Sequence, residues 1–583
     1  MYIRNLGRVV LGLSALSLPL VAHSAVTTKS AVSDKADLTI QRVLKSPSSK
    51  GWSAVIVRTK GAPTAAQEAA ITALGGDIYR HLPIINSLAV RIPSRNMASL
   101  ALLSFVSRLS SDMEVRKYDE FTIEHTGADT ARIDYGLTGK GVTVAVVDSG
   151  IQSKLYDFNE GAKLKQSRVL GGINFVRKAK NDSDDCGHGT HVAGIVAGNG
   201  TYAIEANGIH TTKGIADQAN LVSIQVLDEN GQGMVSNVIA GLQWSIDNRI
   251  KYNIRVLNMS LGHPVGESYT TDPLCQAVET AWKAGIVVVC AAGNNGRLNA
   301  AQVAGVGNEG WGTNYGSIQS PANDPYVITV GATKNGDGNR ANDRIATYSS
   351  RGPSRLDYIL KPDIIAPGNR VISLEVNNST LQNSYAATNS VPRSYLYGST
   401  QSGVSICYFY LSGTSMAAPV VAGAAALLIQ ANPNLTPDSV KARLMVSADK
   451  WLATDGTGDA LTYGAGYLNI PAALNCNVVA TQYALSPTLL FDSASQKLSL
   501  DPKLWSSQAI WGTQAIWGTQ AISGTQAIWG AQAIWGNQAI WGNQAIWGNQ
   551  AIWGTQAIWG NQAIWGSTSS AVDLTSTAII GEN

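Results

Sequence analysis

Short apolar runs rich in β-branched residues recur along the middle of this chain, and no other feature constrains its fold as strongly. The runs lie at residues 142–147, 221–226, 256–260, 286–290 and 327–330. Helical patterns follow several of them, at residues 235–250, 273–284, 415–431 and 437–447. Strands that alternate with helices predict an α/β fold: a doubly wound, mostly parallel sheet with helices on both faces. Because ligands of such sheets bind at the carboxyl ends of the strands, residues at those ends are candidates for a site.

The composition is that of a large globular protein with few charges. Of the 583 residues, 45% are hydrophobic and 14% are charged, and the formal net charge is +3. An average domain has a charged share of about a quarter. The small net charge, with no Lys/Arg cluster and no RNA-binding motif, argues against nucleic acid as a partner.

The first 25 residues have the features of an export signal. Arg4 and Arg8 give a positive start, residues 9–21 are apolar, and small residues follow at positions 22, 24 and 25. The alternative is a membrane anchor, but a span needs roughly 20 apolar residues. We therefore predict a secreted, extracellular protein, either free or associated with a surface, and no later membrane span.

The rest of the chain divides by composition. Residues 26–50 are polar and are predicted to be flexible, and residues 51–120 form a small α+β unit. Within that unit we expect strands at 53–58 and 88–92 and helices at 65–74 and 97–107. The α/β domain is predicted at 121–476, followed by a linker at 477–507, a hexapeptide repeat at 508–567 and a tail at 568–583.

The end of one predicted strand and the start of one predicted helix carry residues suited to acyl transfer. In GVTVAVVDSGI an apolar strand runs into Asp148, whose carboxylate either has a buried partner or caps the next turn. In LSGTSMAAP, Ser415 begins a helix at which backbone N–H groups are unpaired. That serine is either an ordinary helix cap or a nucleophile whose oxyanion faces those donors.

A third segment, GHGTHVAGIVAG, holds two histidines. His188 and His191 have an i, i+3 spacing that would allow a metal site. No glutamate lies between them as in H-E-x-x-H, so the zinc motif is absent. The glycines favour a helix packed closely against the sheet.

Together the three segments resemble the subtilisin-like (S8) family of serine proteases. VAVVDSGI, GHGTHVAG and SGTSMAAP match the family's motifs, and they occur in the order Asp, His, Ser that subtilisin has. AAGNNG at 291–296, NMSLG at 258–262, NGQG at 230–233 and KPDIIAPG at 361–368 match further segments. The resemblance covers residues 120–475 or so and implies the subtilisin fold.

The resemblance assigns the catalytic roles. It implies that Ser415 is the nucleophile of a serine endopeptidase (EC 3.4.21) and forms an acyl-enzyme, because a serine hydroxyl needs an adjacent base to react. His188 is then that base, Asp148 orients it, and the side-chain amide of Asn294 donates to the oxyanion. His191 matches the family's second histidine, which is structural.

The substrate-binding residues follow from the same resemblance. Ser260, Leu261 and Gly262 are expected to pair with an extended peptide on one side, and Gly231 and Gly233 on the other. Small atoms of Ala292 and Gly293 are expected to line the specificity pocket. Polypeptides in an extended or unfolded state are therefore the expected substrates. The absence of an acidic residue at these positions weakly favours apolar side chains before the cleaved bond.

No cofactor is required for this chemistry. The segment at 198–215 matches poorly a loop that often binds calcium, so structural calcium remains open, with no ligands assigned. Five cysteines leave at least one thiol unpaired, and Cys290, at the end of an apolar run, is predicted to be buried and free.

The unit at 51–120 resembles the family's inhibitory propeptide, through GWSAVIVR, the turn at 75–76 and INSLAVRIP. The resemblance implies an autocatalytic cut between about residues 112 and 125, after which the unit acts as an intramolecular inhibitor. The alternative is a permanent accessory domain.

A hexapeptide Q-A-I-W-G-x is repeated ten times in residues 508–567, and the third copy alone has Ser523 in place of Trp, so the repeat holds nine tryptophans and no charge. An even period keeps Trp on one face of a strand, and Gly marks turns, which favours a β-type repeat. Three functions are open: contact with carbohydrate or another surface, self-association, and a spacer removed on maturation. The alternative for the whole chain is a self-processing surface or matrix protein whose Trp repeat carries the function.

Overall fold

The computed structural model describes residues 35–45, 51–112, 121–159, 166–176, 183–205, 208–210, 212–298, 312–334, 339–398, 400–450, 459–492, 497–500 and 571–572. The chain divides into two compact units, Met1–Arg116 and Lys117–Asn583. The predicted signal peptide at 1–25, the repeat at 508–567 and most of the tail at 568–583 lie outside the described residues.

In its described residues the first unit is a four-stranded antiparallel sheet with three α-helices. Its strands, in the spatial order β2-β3-β1-β4, are β1 Trp52–Thr59, β2 Asp77–Leu82, β3 Ser87–Pro93 and β4 Val106–Ser111. Its helices are α1 Leu38–Lys45, α2 Ala65–Ala73 and α3 Met97–Leu102, with 3₁₀ turns at Pro83–Ile85 and Ser94–Asn96. Thr64 and Gln67 form a capping box at the start of α2, which fixes where that helix begins.

Two predictions for this unit are wrong. The helix expected at 97–107 ends at Leu102, and the chain continues as β4, in which Val106 and Leu109 face the core. Residues 35–45, predicted to be flexible, contain α1, whose Ile40 is buried in the same core. In both places a few apolar residues, interspersed with Ser, Lys or Thr, pack into the core of the unit, which the local sequence pattern does not predict.

The main sheet of the second unit has eight strands. They run in the order β12-β11-β10-β9-β5-β7-β6, and β13 also pairs with β11. Every pairing is parallel except β11 with β12. The strands are β5 Thr143–Asp148, β6 Val169–Asn174, β7 Asn220–Gln225, β9 Ile254–Met259, β10 Val287–Ala291, β11 Ile328–Lys334, β12 Arg344–Ile345 and β13 Ile364–Pro367. The predicted α/β fold with a mostly parallel sheet is confirmed.

Smaller pairings complete the β structure of this unit. The strands β14 Val371–Leu374, β15 Ser390–Pro392 and β16 Val404–Leu411 form one antiparallel sheet. The strands β17 Leu489–Asp492 and β18 Lys497–Leu500 form a hairpin. The two-residue strand β8, Gly233–Met234, pairs antiparallel with β19, Ala571–Val572.

The helices of the second unit cover the sheet. They are α4 Phe121–Thr126, α5 Ala128–Tyr135, α6 His188–Ala197, α7 Thr201–Glu205, α8 Val235–Asp247, α9 Arg249–Tyr252, α10 Pro273–Lys283, α11 Thr380–Asn389, α12 Arg393–Tyr397, α13 Thr414–Ala431, α14 Pro437–Ser447, α15 Ala460–Tyr463 and α16 Ile470–Leu474. Single 3₁₀ turns occur at Tyr156–Phe158 and Arg340–Asn342.

The helix α13 is the central helix of this unit. Among the described residues it is the one helix long and apolar enough to cross a membrane, yet 89% of it is buried inside the protein. It contacts β9, β10 and β11 on one side and α6 on another. Such burial is typical of a core helix.

The second unit continues beyond the predicted boundary at 476. Ser486 is buried, and its hydroxyl accepts a hydrogen bond of 2.9 Å from the Lys441 ammonium. The Leu360 N–H donates to Pro487 O, and Ala484 is fully buried. Residues 477–492 are therefore part of the folded unit and not a linker.

Candidate active site

Four neighbouring strands of the main sheet deliver the predicted site residues. The four strands are neighbours in the order β10, β9, β5, β7. Asn294 follows β10, Ser260 follows β9, and the turn that contains Gly231 follows β7. Asp148 is itself the last residue of β5. All these residues lie at the carboxyl edge of the sheet, where parallel α/β sheets bind ligands.

Asp148 and His188 form a buried hydrogen-bonded pair. His188 is the first residue of α6, and its Nδ1 lies 2.7 Å from Asp148 Oδ1. Their side chains are 3% and 0% exposed, so solvent does not screen the contact. A carboxylate only accepts hydrogen bonds, so Nδ1 carries the proton and Nε2 is left with a free electron pair in the neutral ring.

The charge of Asp148 sets the proton affinity of the imidazole. Burial alone would lower the pKa of His188, but the charge and hydrogen bond of Asp148 act against it, with a further contribution from the charge of Asp184. The net result is a pKa above the ordinary value of histidine. His188 is thus a stronger base than a free imidazole, despite being enclosed.

Ser415 is the second residue of α13 and lies beside the end of β9. Its hydroxyl donates to Ser260 O at 3.1 Å, and Ser260 Oγ donates to Ser415 O at 2.7 Å. No hydrogen bond joins Ser415 Oγ to the His188 ring in this structure. The hydroxyl must leave Ser260 O before it can donate to Nε2.

Asn294 lies next to the same helix start, with its amide orientation fixed. Thr414 donates its N–H to Asn294 Oδ1 at 2.9 Å and its hydroxyl to the same oxygen at 3.2 Å. Because a backbone N–H must meet an acceptor, the oxygen of the amide is identified and the NH₂ group points the other way. The Ser415 N–H belongs to the first turn of α13, whose N–H groups have no acceptor within the helix.

The predicted substrate-binding residues border the same edge. Gly233 lies in β8, at the outer side of the turn that follows β7, and Gly231 has a φ of 74°, which favours glycine. A Cβ on Gly233 would approach Val226 O to 2.3 Å. The position therefore needs glycine for space.

The residues predicted on the opposite side follow β9 and β10. Leu261 and Ala292 are buried, and Gly293 has a φ of 105°. A Cβ on Gly262 would approach Ser320 O to 2.9 Å, so Gly262 is also in a crowded position.

Comparison with known proteins identifies the family of this chain. The description of the peptidase S8, subtilase family matches residues 139–467. The serine protease AprX of Bacillus subtilis (strain 168) is 37% identical over 388 residues, which cover 65% of this chain and 76% of AprX. Subtilisin E of the same strain is 31% identical over 442 residues, 75% of this chain and 93% of subtilisin E. Among solved structures, a cold-adapted subtilisin-like serine proteinase has a TM-score of 0.39 and 28% identity, covering 57% of this chain and 90% of that one.

The chain belongs to the subtilase family. This family hydrolyses peptide bonds as serine proteases, and the fold and the family motifs of this subtilase agree with that class.

Two supporting residues of this subtilase were not foreseen from its sequence. Thr414 fixes the Asn294 amide, and its hydroxyl also accepts from Gly293 N at 3.1 Å. It stands inside the SGTSMAAP motif, whose match to the family assigned a role only to Ser415. Asp184 accepts hydrogen bonds around the start of α6, and no motif signal pointed to it.

The second histidine of this subtilase is a buried neutral group. His191 Nε2 donates to Phe409 O at 3.0 Å, and burial lowers the pKa of His191 to about 3. Within the described residues no three His, Cys, Asp or Glu side chains are grouped as a metal site requires. All five cysteines are free, and Cys290 is fully buried as predicted.

Proposed function

We propose that this subtilase is a secreted serine endopeptidase that cleaves extended or unfolded polypeptides through an acyl-enzyme on Ser415. One observation carries the proposal: the buried Asp148–His188 pair, with Nδ1 and Oδ1 2.7 Å apart, leaves Nε2 of a basic imidazole at the edge where the first turn of α13 holds Ser415. A base of raised proton affinity beside a serine hydroxyl is what that weak nucleophile needs.

The reaction begins when the Ser415 hydroxyl leaves Ser260 O and donates to His188 Nε2. As Oγ attacks the peptide carbonyl carbon, its proton moves to Nε2, and the imidazolium is stabilised by Asp148. Nε2 then gives this proton to the leaving amine, and the acyl-enzyme remains. A water molecule, activated by the same nitrogen, hydrolyses the ester and restores Ser415.

The developing negative charge on the carbonyl oxygen needs fixed donors. The NH₂ group of Asn294, turned outward by the two bonds from Thr414, and the N–H of Ser415 are the donors that we assign. Donors held in place before the reaction cost no reorganisation when charge develops.

We further propose that the substrate pairs as a strand with Gly231 and Gly233 on one side and with Ser260, Leu261 and Gly262 on the other. Main-chain pairing selects extended conformation more than sequence. Ala292 and Gly293 are assigned to the specificity pocket, which favours apolar side chains before the cleaved bond.

The precursor organisation is part of the proposal. The first compact unit is assigned as an inhibitory propeptide, which the enzyme removes by a cut between about residues 112 and 125. Export through the signal at residues 1–25 would place the mature enzyme outside the cell.

Casein hydrolysis by the purified protein, with and without phenylmethylsulfonyl fluoride, tests the proposal. The wild type is expected to be active and inhibitor-sensitive, and Ser415→Ala to be inactive and to remain at full precursor length. Hydrolysis that persists in Ser415→Ala contradicts the catalytic assignment. A wild type that matures itself but leaves casein intact favours the self-processing surface protein whose Trp repeat carries the function.

A further inference from the structure

Asp184 is a buried carboxylate next to the proposed catalytic pair. It is 1% exposed and lies four residues before His188. Its carboxylate accepts hydrogen bonds from Ser149 Oγ at 2.8 Å and Gly187 N at 2.8 Å, both to Oδ1, and from Thr190 N at 2.7 Å to Oδ2. The Thr190 side chain also hydrogen-bonds to it.

These contacts connect the two halves of the pair. Gly187 and Thr190 enclose His188 at the start of α6, so Asp184 fixes the backbone that carries the imidazole. Ser149 directly follows Asp148, and its N–H donates to Asp148 Oδ1 at 2.7 Å. Ser149 Oγ also accepts from Gly189 N at 2.9 Å, which ties the Asp148 turn to the helix a second time.

The two segments are too close to shift independently. A Cβ on Gly189 would lie 2.2 Å from Gly150 O and 3.1 Å from Asp148 Cβ. A displacement of about 1 Å at a catalytic group costs on the order of 10²-fold in rate. A single carboxylate that holds both segments is therefore placed to control the Asp148–His188 geometry.

The charged form of Asp184 also acts on the ring. Burial raises the pKa of Asp184, whereas the hydrogen bonds from Thr190, Gly187 and Ser149 favour its charged form. The titratable groups that act electrostatically on His188 are Asp148, Asp184 and His191; both carboxylates raise the pKa of His188, and His191 stays neutral. Cys186 is also close to both carboxylates, and burial raises the pKa of its thiol, which keeps it uncharged.

We propose that Asp184 is a positioning residue for the reaction proposed above, on which this inference rests. It holds Asp148 and His188 in register through Ser149, Gly187 and Thr190, and its negative charge adds to that of Asp148 when the imidazolium forms.

Asp184→Asn tests the inference, with Asp185→Asn as the matched control because Asp185 is the exposed neighbour. Activity on a peptide substrate is measured against pH, normalised to the number of active sites. Asp184→Asn is expected to lose about tenfold or more in kcat with little change in KM. The acidic limb of its kcat/KM profile is expected to move to lower pH, because one anion near His188 is gone. Asp185→Asn is expected to keep the kcat and the acidic limb of the wild type.

Ser149→Ala separates the position from the charge. It removes one donor to Asp184 but no charge, so kcat is expected to fall while the acidic limb stays in place. The Ser149→Ala, Asp184→Asn double variant is expected to lose less than the product of the two single losses. An Asp184→Asn enzyme with the kcat and the acidic limb of Asp185→Asn overturns the inference, as does a variant that only unfolds at a lower temperature. If such a variant is found while Ser415→Ala is inactive, the proposed function stands and this inference alone fails.

Discussion

Thr414 donates two hydrogen bonds to one atom, the side-chain oxygen of Asn294, at 2.9 Å from its N–H and 3.2 Å from its hydroxyl. The residue that precedes the proposed nucleophile thus also orients the proposed oxyanion donor. The start of α13 and the side chain of the proposed oxyanion donor are therefore held together by the same residue.

Replacing Thr414 with Val removes the hydroxyl and keeps the side-chain shape and the N–H. The Asn294 amide then has one anchor instead of two, and we expect kcat to fall about tenfold with little change in KM. Asn294→Ala is expected to lose about 10²–10³-fold, the loss known for the corresponding donor of subtilisin. Steady-state kinetics on one peptide measures both. Thr280→Val, on an exposed face of α10, is the control, and equal kinetics for the two Val variants would refute the anchoring role.

The Ser260 hydroxyl holds the backbone of the proposed nucleophile through a hydrogen bond of 2.7 Å to Ser415 O. Ser260→Ala leaves that carbonyl and the Asn258 amide without their partner, because Asn258 Nδ2 donates to Ser260 Oγ at 2.9 Å. We expect a loss of about 1–3 kcal/mol in the free energy of unfolding, together with lower kcat. Chemical denaturation of Ser260→Ala in an inactive Ser415→Ala background measures stability without self-digestion. A variant as stable as its background would show that the bond contributes nothing.

The buried neutral His191 makes stability depend on pH. Its pKa is lowered to about 3 in the folded protein, first of all by burial. In the unfolded chain histidine titrates near 6.5. Between these values only the unfolded chain takes up the proton, so the folded state loses stability as the pH falls. The loss reaches on the order of 4 kcal/mol near pH 3.

His191→Gln should remove this part of the acid sensitivity, whatever its effect at neutral pH. Thermal unfolding is measured between pH 7 and pH 4 in the Ser415→Ala background, with and without His191→Gln. The measurement gives the slope of stability against pH for each protein. A slope identical to that of the parent would contradict a neutral, buried His191.

Thiol reagents are expected to spare the native enzyme. Cys186, Cys275 and Cys290 are buried, and burial raises the pKa of each thiol, so little reactive thiolate exists. Iodoacetamide should label at most Cys407 and Cys476, which are partly exposed, and leave casein hydrolysis unchanged. All five thiols should react after unfolding. Labelling of native Cys186, detected by peptide mass analysis, would be inconsistent with this burial.

The tail strand β19 occupies the edge that we assign to substrate. Ala571 pairs with Met234 and Val572 with Gly233, antiparallel. A chain that ends at residue 567 is therefore expected to have a lower KM for peptides than a chain that ends at residue 572, with equal kcat. Matched KM values for the two truncations would show that the pairing does not compete with substrate.

The sequence was sufficient to predict the fold, and to nominate the principal residues of the proposed site, because both depend on local patterns. The apolar runs that end at Asp148 and before Ser260 predict strand ends, and strand ends meet at one edge of a parallel sheet. Asp184 was missed because its role depends on Ser149, which is distant in the sequence and reached only by folding. The strand at Val106–Ser111 was missed because its buried residues Val106 and Leu109 are spaced i, i+3, which fits a helical period; the register irregularity at Thr59 of β1 accompanies this departure from a strand period.

The proposed site draws on residues far apart in the chain, from Asp148 in β5 to Ser415 in α13. During synthesis the ribosome therefore releases the proposed base long before the proposed nucleophile, and α13 must then pack against β9, β10 and β11 before Ser415 reaches its place in the site. No shorter nascent chain holds a complete site. Proteolytic activity therefore begins only after the chain has folded, when its own backbone is no longer an unfolded substrate.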